Sequence, residues 1–553
     1  MPQILTPAGG GRPSRRPRRG VVLAGGLAAA LSVGAVVAVI LVVALGSSGS
    51  GHRHGLMESL FQDDQLLVDS PAPTVSRTLD TLRSLGVDRV RITVLWASIA
   101  PGAKPAGFRA ADPAAYPATA WVPYDRVVTL ARARGIDVDF NVTAPGPLWA
   151  MQHAPNPKYA THYSPSADAF GHFVAAVGKR YSGSYQPPGA TTKLPRVSYW
   201  TVWNEPNQPG WLAPQFRTVS GRPVVNAPRL YRSLVDSAFA GLRATGHTTS
   251  TDTILVGELA PEGTEATKTE TPIPPLPFLR AMYCVDQSEK PLTGAAATAL
   301  GCPSNGGTGA FVKAHPALFD PTGFAHHPYS FFLKPSAGFS DPNFVPLSQL
   351  TRLETALDSI FSAYGVHRQL PIYLTEYGYE TNPPDPFRGV PLAKQALYLD
   401  QAQYMAWQDS RVRSMAQFLL VDSAPNTTFP KNSVGYWSTF QTGLEFLGGK
   451  RKPSFVAYRL PIYVPKPFFA RGATVSVWGM LRPAKNGTEQ QAQIQYRPRH
   501  GAAQTLATVD THDASGFLST NVAPPGSGSL RILWTAPDGK VLRSRAATIT
   551  QTG

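Results

Sequence analysis

Short apolar runs that suit β-strands alternate along the chain with segments whose apolar residues recur at helical spacing. The strands predicted from these runs lie at residues 59–68, 87–96, 136–142, 197–203, 253–257, 323–327, 370–375 and 414–421. The helices predicted between them lie at residues 75–85, 124–134, 168–181, 230–242, 353–360 and 392–407. A repeat of strand and helix builds a parallel sheet covered by helices, so eight strands in this pattern predict a (β/α)8 barrel, also called a TIM barrel, over residues 55–462.

Residues 262–320 interrupt the strand–helix rhythm because they are rich in Pro, Thr, Gly and Ala. We predict a long loop insertion here, on the active-site side of the barrel, with one helix near residues 278–283. The insertion holds both cysteines of the chain, Cys284 and Cys302. A disulfide between them would close a loop of about 18 residues and contribute about 3 kcal/mol. Two unpaired thiols are the alternative.

The pattern changes again after residue 458, where short alternating strands are separated by Gly and Pro turns. The predicted strands lie at residues 475–478, 492–496, 506–509, 517–520 and 530–534. Such a series predicts an all-β sandwich over residues 463–553. Its Arg and Trp residues could bind glycan on one face, but a packing role is the preferred interpretation.

The N-terminal residues suit a membrane anchor. Residues 20–46 are apolar or small and carry no charge, which suffices to span a bilayer. The arginines within residues 1–19 predict a cytosolic tail, with the rest of the chain outside the cell. Residues 47–54 form a flexible linker by composition. The alternative is a signal peptide cleaved near residues 44–46, which would make the protein secreted.

The net charge of the chain says little about which partners the protein binds. The formal net charge is +16, and five of these charges are arginines before residue 20. The remaining basic surplus favours an anionic wall, membrane surface or polymer as neighbour, although a host that prefers arginine explains it equally well. The sequence contains no phosphate-binding loop, no His-Glu-x-x-His and no Gly-x-Ser-x-Gly. We therefore expect no cofactor, no metal and no nucleic-acid partner.

Two of the predicted strands end at a glutamate. The fourth strand runs into Trp203-Asn204-Glu205-Pro206-Asn207, and the seventh runs into Thr375-Glu376-Tyr377-Gly378. In an α/β barrel, the carboxyl ends of the strands carry the catalytic groups. Two carboxylates that meet there suit the hydrolysis of a glycosidic bond.

These two motifs, together with His327-Pro328-Tyr329 after the sixth strand, resemble the clan A retaining glycoside hydrolases, with family 39 and family 5 as the most similar types. The segment from Gly443-Leu444 to Ser454 is similar to the exit from the barrel in family 39. The resemblance covers residues 55–460.

The resemblance implies a catalytic role for both glutamates. Glu205 would act as general acid and base, and Glu376 as nucleophile, with their carboxyl groups about 5–5.5 Å apart. Substrate-binding roles would fall on Asn204, His327, Tyr329, Arg91, Trp437 and Trp149. Asn204 would bind the sugar 2-hydroxyl, Tyr329 and Arg91 would hold Glu376, and the two tryptophans would stack on sugars.

Each of these residues also has a structural interpretation. Arg91 could be an ordinary charge of the barrel interior, His327 a wall residue and Trp437 a packing residue. Glu258 also ends a strand and could line a subsite or hold a loop. His326 and His327 are strand neighbours that point to opposite sides, which argues against a metal site.

The sequence therefore predicts a retaining glycoside hydrolase that acts outside the cell on an oligo- or polysaccharide. Two alternatives stay open: a glycan-binding scaffold without turnover, and a transglycosylase in polysaccharide assembly. Asp63 and Asp64, near the tip of the first strand, are additional candidates for binding sugar hydroxyls.

Overall fold

The computed structural model describes residues 57–264, 266–268, 270–484, 487–513 and 515–552. The predicted tail, anchor and linker (residues 1–54) lie outside these ranges, so the anchor stays a prediction. Among the described residues, no helix has the length and apolar character needed to cross a membrane.

Eight parallel strands close into a barrel in which each strand pairs with its neighbours in sequence, and the first pairs with the last. The strands are β1 (Glu58–Gln62), β2 (Arg89–Leu95), β3 (Asp137–Thr143), β4 (Tyr199–Val202), β5 (Thr253–Leu259), β6 (Gly323–His326), β7 (Ile372–Leu374) and β8 (Val412–Phe418). The prediction of a (β/α)8 barrel is confirmed. Each predicted strand overlaps an observed one, although most observed strands are shorter because the chain turns at the polar tip.

The long helices of the barrel are Ala72–Ser84, Ala118–Arg132, Ala167–Arg180, Ala227–Arg243, Leu350–Ala363 and Leu392–Gln408. Shorter helices are Asp64–Leu67, Trp96–Ile99 and Pro453–Arg459. The long helices bury apolar residues such as Leu79, Val127 and Phe173 against the strands, and this layer forms the main core. The loops contain two small strand pairs. Phe216–Val219 pairs with Arg222–Val225, and Thr381–Asn382 pairs with Val390–Pro391.

The insertion at residues 262–320 is more ordered than the sequence predicts. Its described residues contain four helices, Pro275–Met282, Gly294–Ala299, Thr308–Ala314 and Pro316–Phe319, where we expected one. Cys284 and Cys302 form a disulfide, with their Cα atoms 5.9 Å apart. The buried Arg232 donates from Nη1 to Cys284 Sγ over 2.9 Å and from Nη2 to the Leu300 carbonyl over 2.7 Å. The insertion is thus fastened to the Ala227–Arg243 helix.

Asp63 and Asp64, which the sequence offered as candidates for binding sugar hydroxyls, support the barrel. Asp63 is buried and accepts hydrogen bonds from the backbone N–H groups of Leu66 and Leu420, at 3.1 and 3.0 Å, which ties the end of β1 to the chain after β8. Asp64 accepts from the backbone N–H and the hydroxyl of Thr93, at 2.9 and 2.7 Å. These carboxylates are occupied by protein donors.

The C-terminal part of the chain forms additional all-β sheets, as the sequence predicts. One sheet contains β9 (Ile462–Tyr463), β11 (Val475–Met480) and β14 (Phe517–Val522). The other contains β10 (Phe468–Ala470), β12 (Gln490–Pro498), β13 (Gln504–Thr511), β15 (Gly528–Thr535), β16 (Val541–Arg543) and β17 (Ala547–Thr552). Apolar residues of both sheets, among them Val477, Ile494, Ile532 and Trp534, share a second core.

Buried polar contacts join this β domain to the barrel. Arg482 donates to the Tyr458 carbonyl over 2.7 Å and to the hydroxyl of Ser59 at the start of the barrel. Asp400 accepts from Arg545 Nε over 2.5 Å. Trp478 is fully buried and belongs to the barrel core rather than to the sandwich core. The two domains therefore share a continuous interior.

Candidate active site

The two predicted catalytic glutamates lie at the same end of the barrel. Glu205 follows β4 and Glu376 follows β7, so both stand where parallel strands reach their carboxyl ends. One carboxylate oxygen of each and a ring nitrogen of His327 all lie within 4.8 Å of one another. The backbone of Glu205 has a φ of 36°, a left-handed conformation that is uncommon for a residue with a side chain. Such outliers concentrate at functional sites.

Glu376 accepts hydrogen bonds from two donors and lies near a third polar group. Arg91 Nη1 donates to Glu376 Oε1 over 2.9 Å, and the Tyr329 hydroxyl donates to Oε2 over 3.2 Å. His327 Nδ1 lies 3.6 Å from Oε2. Burial raises the pKa of the Glu376 carboxyl, while the His327 and Arg91 cations oppose that rise. The side chain keeps 12% of its surface exposed, so a substrate can reach it.

Arg91 connects four strands from inside the barrel. It is fully buried and donates to Gln62 Oε1 over 2.5 Å, to Asn204 Oδ1 over 2.7 Å and to Glu258 Oε2, in addition to Glu376. Burial disfavours its charge, but Glu258 and Glu376 outweigh that cost and raise the pKa of Arg91. This guanidinium fixes the positions of both an amide and a carboxylate at the mouth.

His327 sits between the carboxylates as a second buried cation. Its Nδ1 lies 3.0 Å from Glu205 Oε1 and its Nε2 lies 2.8 Å from Glu258 Oε2. Burial disfavours the charged form, but Glu376 and Glu258 raise the pKa of His327 to about 10. An imidazolium donates from both nitrogens, which suits its place between two carboxylates. The Glu205–His327–Glu376 cluster is thus an ion-pair network, and His326, which lies 2.7 Å from the Val345 carbonyl, belongs to the barrel wall.

Glu258 is the third carboxylate of the network, and sequence reasoning left its role open. It is completely buried in β5, with a φ of 51°, and it pairs with both Arg91 and His327. Burial disfavours its charge, yet Arg91 and His327 hold the pKa of Glu258 below its ordinary value. Because it has no exposed surface, Glu258 acts on the site only through its two cations.

The remaining predicted residues divide into two groups. Asn204 is nearly buried and stands beside Arg91, and its backbone N–H donates to Thr143 Oγ1 over 3.0 Å. Trp149 and Trp437 lie in the loops after β3 and β8. The Trp149 indole donates to the Pro101 carbonyl over 2.8 Å and packs edge-on against Trp96, and Trp437 packs edge-on against Tyr436. Hydrogen bonds thus join Arg91, His327 and Tyr329 to the glutamates, and Asn204 is linked to them through Arg91, whereas aromatic contacts hold the two tryptophans.

Gln62, at the end of β1, is a site residue that the sequence analysis missed. It accepts from Arg91, and its amide nitrogen donates to Thr93 Oγ1 over 3.1 Å. The available signal was a polar residue at a strand tip, which is the position where barrel enzymes place functional groups.

We expect Glu258→Gln to destabilise the protein by about 3 kcal/mol, because it leaves two buried cations short of a partner. The variant should also change how stability depends on pH. The pKa of His327 lies above its ordinary value of 6.5, so its contribution is complete below that value and is lost as pH rises through about 10. Without the Glu258 charge, the pKa of His327 in the folded protein should fall, so this loss should be smaller and should end at lower pH.

Urea unfolding of both proteins between pH 6 and pH 11 measures this effect. Glu258→Asp keeps the negative charge and should therefore retain part of the stability that the wild type has at alkaline pH. Glu289→Gln, in the insertion, serves as control. Parallel curves for the wild type and Glu258→Gln would show that Glu258 does not stabilise the imidazolium.

The sequence matches no protein-family model and no curated protein. Solved structures are similar at low identity. The exo-β-1,4-mannosidase Op5Man5 from Opitutaceae bacterium strain TAV5 is 13% identical, with a TM-score of 0.39 over 73% of this chain and 58% of that one. This chain therefore spans less than two thirds of that mannosidase.

The match to this chain covers nearly the whole length of two other similar structures. A β-glucosidase from Thermotoga maritima in complex with castanospermine is 14% identical, with a TM-score of 0.44 over 73% of this chain and 96% of that one. AbfB, a family 51 α-L-arabinofuranosidase from Bifidobacterium longum, is 11% identical, with a TM-score of 0.40 over 85% of this chain and 94% of that one.

Proposed function

We propose that the protein is a retaining glycoside hydrolase that cleaves an O-glycosidic bond by double displacement. The observation that carries this proposal is the approach of Glu205 and Glu376, whose nearest carboxylate oxygens lie within 4.8 Å at the mouth of the barrel. Retaining glycosidases hold their carboxyl groups about 5–5.5 Å apart, whereas inverting enzymes leave room for a water between them.

In the first step, the Glu376 carboxylate forms a bond to the anomeric carbon while Glu205 gives its proton to the departing glycosidic oxygen. In the second step, Glu205 takes a proton from water, the water oxygen bonds to the anomeric carbon, and the bond to Glu376 breaks. Each displacement inverts the carbon, so the product keeps the configuration of the substrate.

The charges around the glutamates support this division of roles. Arg91 and His327 are cations, and Glu258 and Glu376 are the carboxylates that face them. Glu376 faces both cations, which oppose the effect of burial and favour the ionised form that a nucleophile needs. Glu205 contacts only one of them, His327.

Asn204, held by the buried Arg91, extends the site towards the sugar. The carboxamide oxygen of Asn204 is engaged by Arg91, so its amide nitrogen is the group available to a sugar hydroxyl. A hydrogen bond to the 2-hydroxyl that strengthens in the transition state accelerates glycoside hydrolysis.

The stereochemistry of the product tests the proposal. We expect the full chain to hydrolyse at least one glycoside from a panel of 4-nitrophenyl pyranosides and furanosides, with retention of configuration in the first-formed product. Proton NMR of the reaction in its first minutes reads the anomeric signal before mutarotation. An inverted product would contradict the double displacement.

The same panel separates the alternatives. Polysaccharide binding without sugar release would identify a glycan-binding scaffold, and sugar transfer to an acceptor in preference to water would identify a transglycosylase.

We also propose that the barrel acts outside the cytoplasm, on an extracellular or cell-wall polysaccharide. Two features support this location: the uncharged apolar stretch at residues 20–46, and the disulfide, a bond that persists in oxidising compartments. Protease treatment of intact cells should therefore remove the barrel, and protection from protease would contradict the proposal.

A further inference from the structure

Three aromatic rings form a row that starts at Glu376. Tyr329 donates its hydroxyl to Glu376 over 3.2 Å. Its ring lies parallel to Phe331, with ring centroids 6.3 Å apart and planes at 17°. Phe331 in turn lies parallel to Phe339, at 6.1 Å and 8°. We call Tyr329, Phe331 and Phe339 the aromatic row, and all of it lies in the loop that follows β6.

The rings of the row keep part of their faces open. Parallel rings in full face-to-face contact would have centroids about 3.5–4 Å apart, so at separations above 6 Å the rings do not fully cover one another. All three side chains are half-buried, which means that water reaches them at the mouth of the site. A set of half-exposed apolar rings beside a charged cleft lowers stability in the free protein unless something else covers it.

The loop holds these rings in place. Phe331 has a φ of 53°, a left-handed conformation that is a true outlier for a bulky residue. Gln349 clamps the backbone of Phe339, accepting from its N–H over 2.9 Å and donating to its carbonyl over 3.3 Å. Behind Tyr329, the buried Tyr377 stacks at 6.1 Å. Strain that the surroundings maintain, at a site that faces water, points to binding rather than to packing.

We propose that Phe331 and Phe339 are stacking platforms for the sugar units adjoining the one held at Glu376, so that the site binds a segment of a polysaccharide rather than a single terminal sugar. This inference rests on the proposed function. The C–H groups on one face of a pyranose carry partial positive charge and an apolar surface, and both match the negative face of an aromatic ring. Parallel rings leading away from the nucleophile would hold consecutive sugars of one chain.

The test compares substrates of increasing length. Purified full-length wild type, Phe331→Ala and Phe339→Ala are assayed on cello-, manno- and xylo-oligosaccharides of two to six units. For each alanine variant, we expect the ratio of kcat/KM for the hexasaccharide to kcat/KM for the disaccharide to fall about tenfold. Phe468→Ala removes an equally simple but exposed ring from the β domain and should leave that ratio unchanged. Equal losses on short and long substrates would overturn the inference.

A binding assay keeps this inference separate from the hydrolase proposal. Affinity gel electrophoresis through xylan, mannan, β-glucan or arabinogalactan measures retardation without any turnover. One outcome is that the wild type hydrolyses no substrate, while Phe331→Ala weakens retardation about tenfold relative to Phe468→Ala. This result would support the inference about the aromatic row and contradict the hydrolase proposal. If no polymer retards the wild type, or if Phe331→Ala and Phe468→Ala behave alike, the row is not a polysaccharide site.

Discussion

Glu376→Gln should abolish hydrolysis, with kcat/KM falling by about 10⁴-fold or more, as expected when a nucleophile is removed. The amide has nearly the shape of the carboxylate and can still accept from Arg91, so the barrel should fold normally. It cannot, however, form the glycosyl ester on which the second displacement depends. Steady-state hydrolysis of a reactive aryl glycoside, supported by a circular dichroism spectrum like that of the wild type, measures this loss.

Chemical rescue makes the assignment of Glu376 specific. In Glu376→Ala, a small anion such as azide can enter the vacated space and attack the anomeric carbon directly. The product would be a glycosyl azide of inverted configuration, and its appearance would show that the missing group was the nucleophile. Hydrolysis by Glu376→Gln at more than a tenth of the wild-type rate would exclude that role. Glu289→Gln, which removes a carboxylate that pairs with Arg280 in the insertion, should keep full activity.

Glu205→Gln should cause a loss that depends on the leaving group. For an alkyl or 4-methylphenyl glycoside, whose departing oxygen needs a proton, kcat/KM should fall by about 10²–10⁴-fold, the usual contribution of a general acid. For a 2,4-dinitrophenyl glycoside, the phenolate leaves without help and the loss should be far smaller. The measurement is kcat/KM across a series of aryl glycosides whose phenols span a wide range of acidity.

A leaving-group dependence of this kind distinguishes Glu205 from its neighbours. Replacement of a residue that only shapes the pocket lowers all rates by a similar factor. If Glu205→Gln lowers kcat/KM by the same factor for every substrate, Glu205 does not protonate the leaving group, and another residue must be the general acid. Arg91→Lys is a useful contrast, because it keeps a positive charge but loses the fork that reaches Glu258, Asn204 and Glu376 together.

The barrel was predictable because its signals are local. A run such as Val197–Trp203 followed by Pro206 determines both a strand and its end, and Gly86 and Gly135 terminate their helices in the left-handed conformation. The missed elements lack such signals. The helices at Gly294–Ala299 and Thr308–Ala314 are one or two turns long and rich in small residues, and β10 and β16 have only three residues each, too few for a period to appear.

The same distinction, between local sequence signals and contacts made only by the fold, applies to the candidate site. Glu205 and Glu376 stand in motifs at strand ends, so the sequence alone identified them as candidates. The partnership of Glu258 with Arg91 could not be predicted, because 167 positions separate the two residues and only closure of the barrel brings them together. The same holds for Gln62, whose place beside Arg91 depends on the pairing of β1 with β2. The row formed by Phe331 and Phe339 depends on a loop conformation that has no periodic signature.

The way the β domain joins the barrel limits how this architecture can be rearranged. A domain carried on a flexible tether can be exchanged between proteins, because each partner keeps a finished surface. Here Asp400 would lose the Arg545 cation, and the Leu392–Gln408 helix would lose the Trp478 ring that packs against Tyr404 and Trp407. The β domain therefore behaves as an integral part of the folded protein and not as an accessory that recombination could exchange.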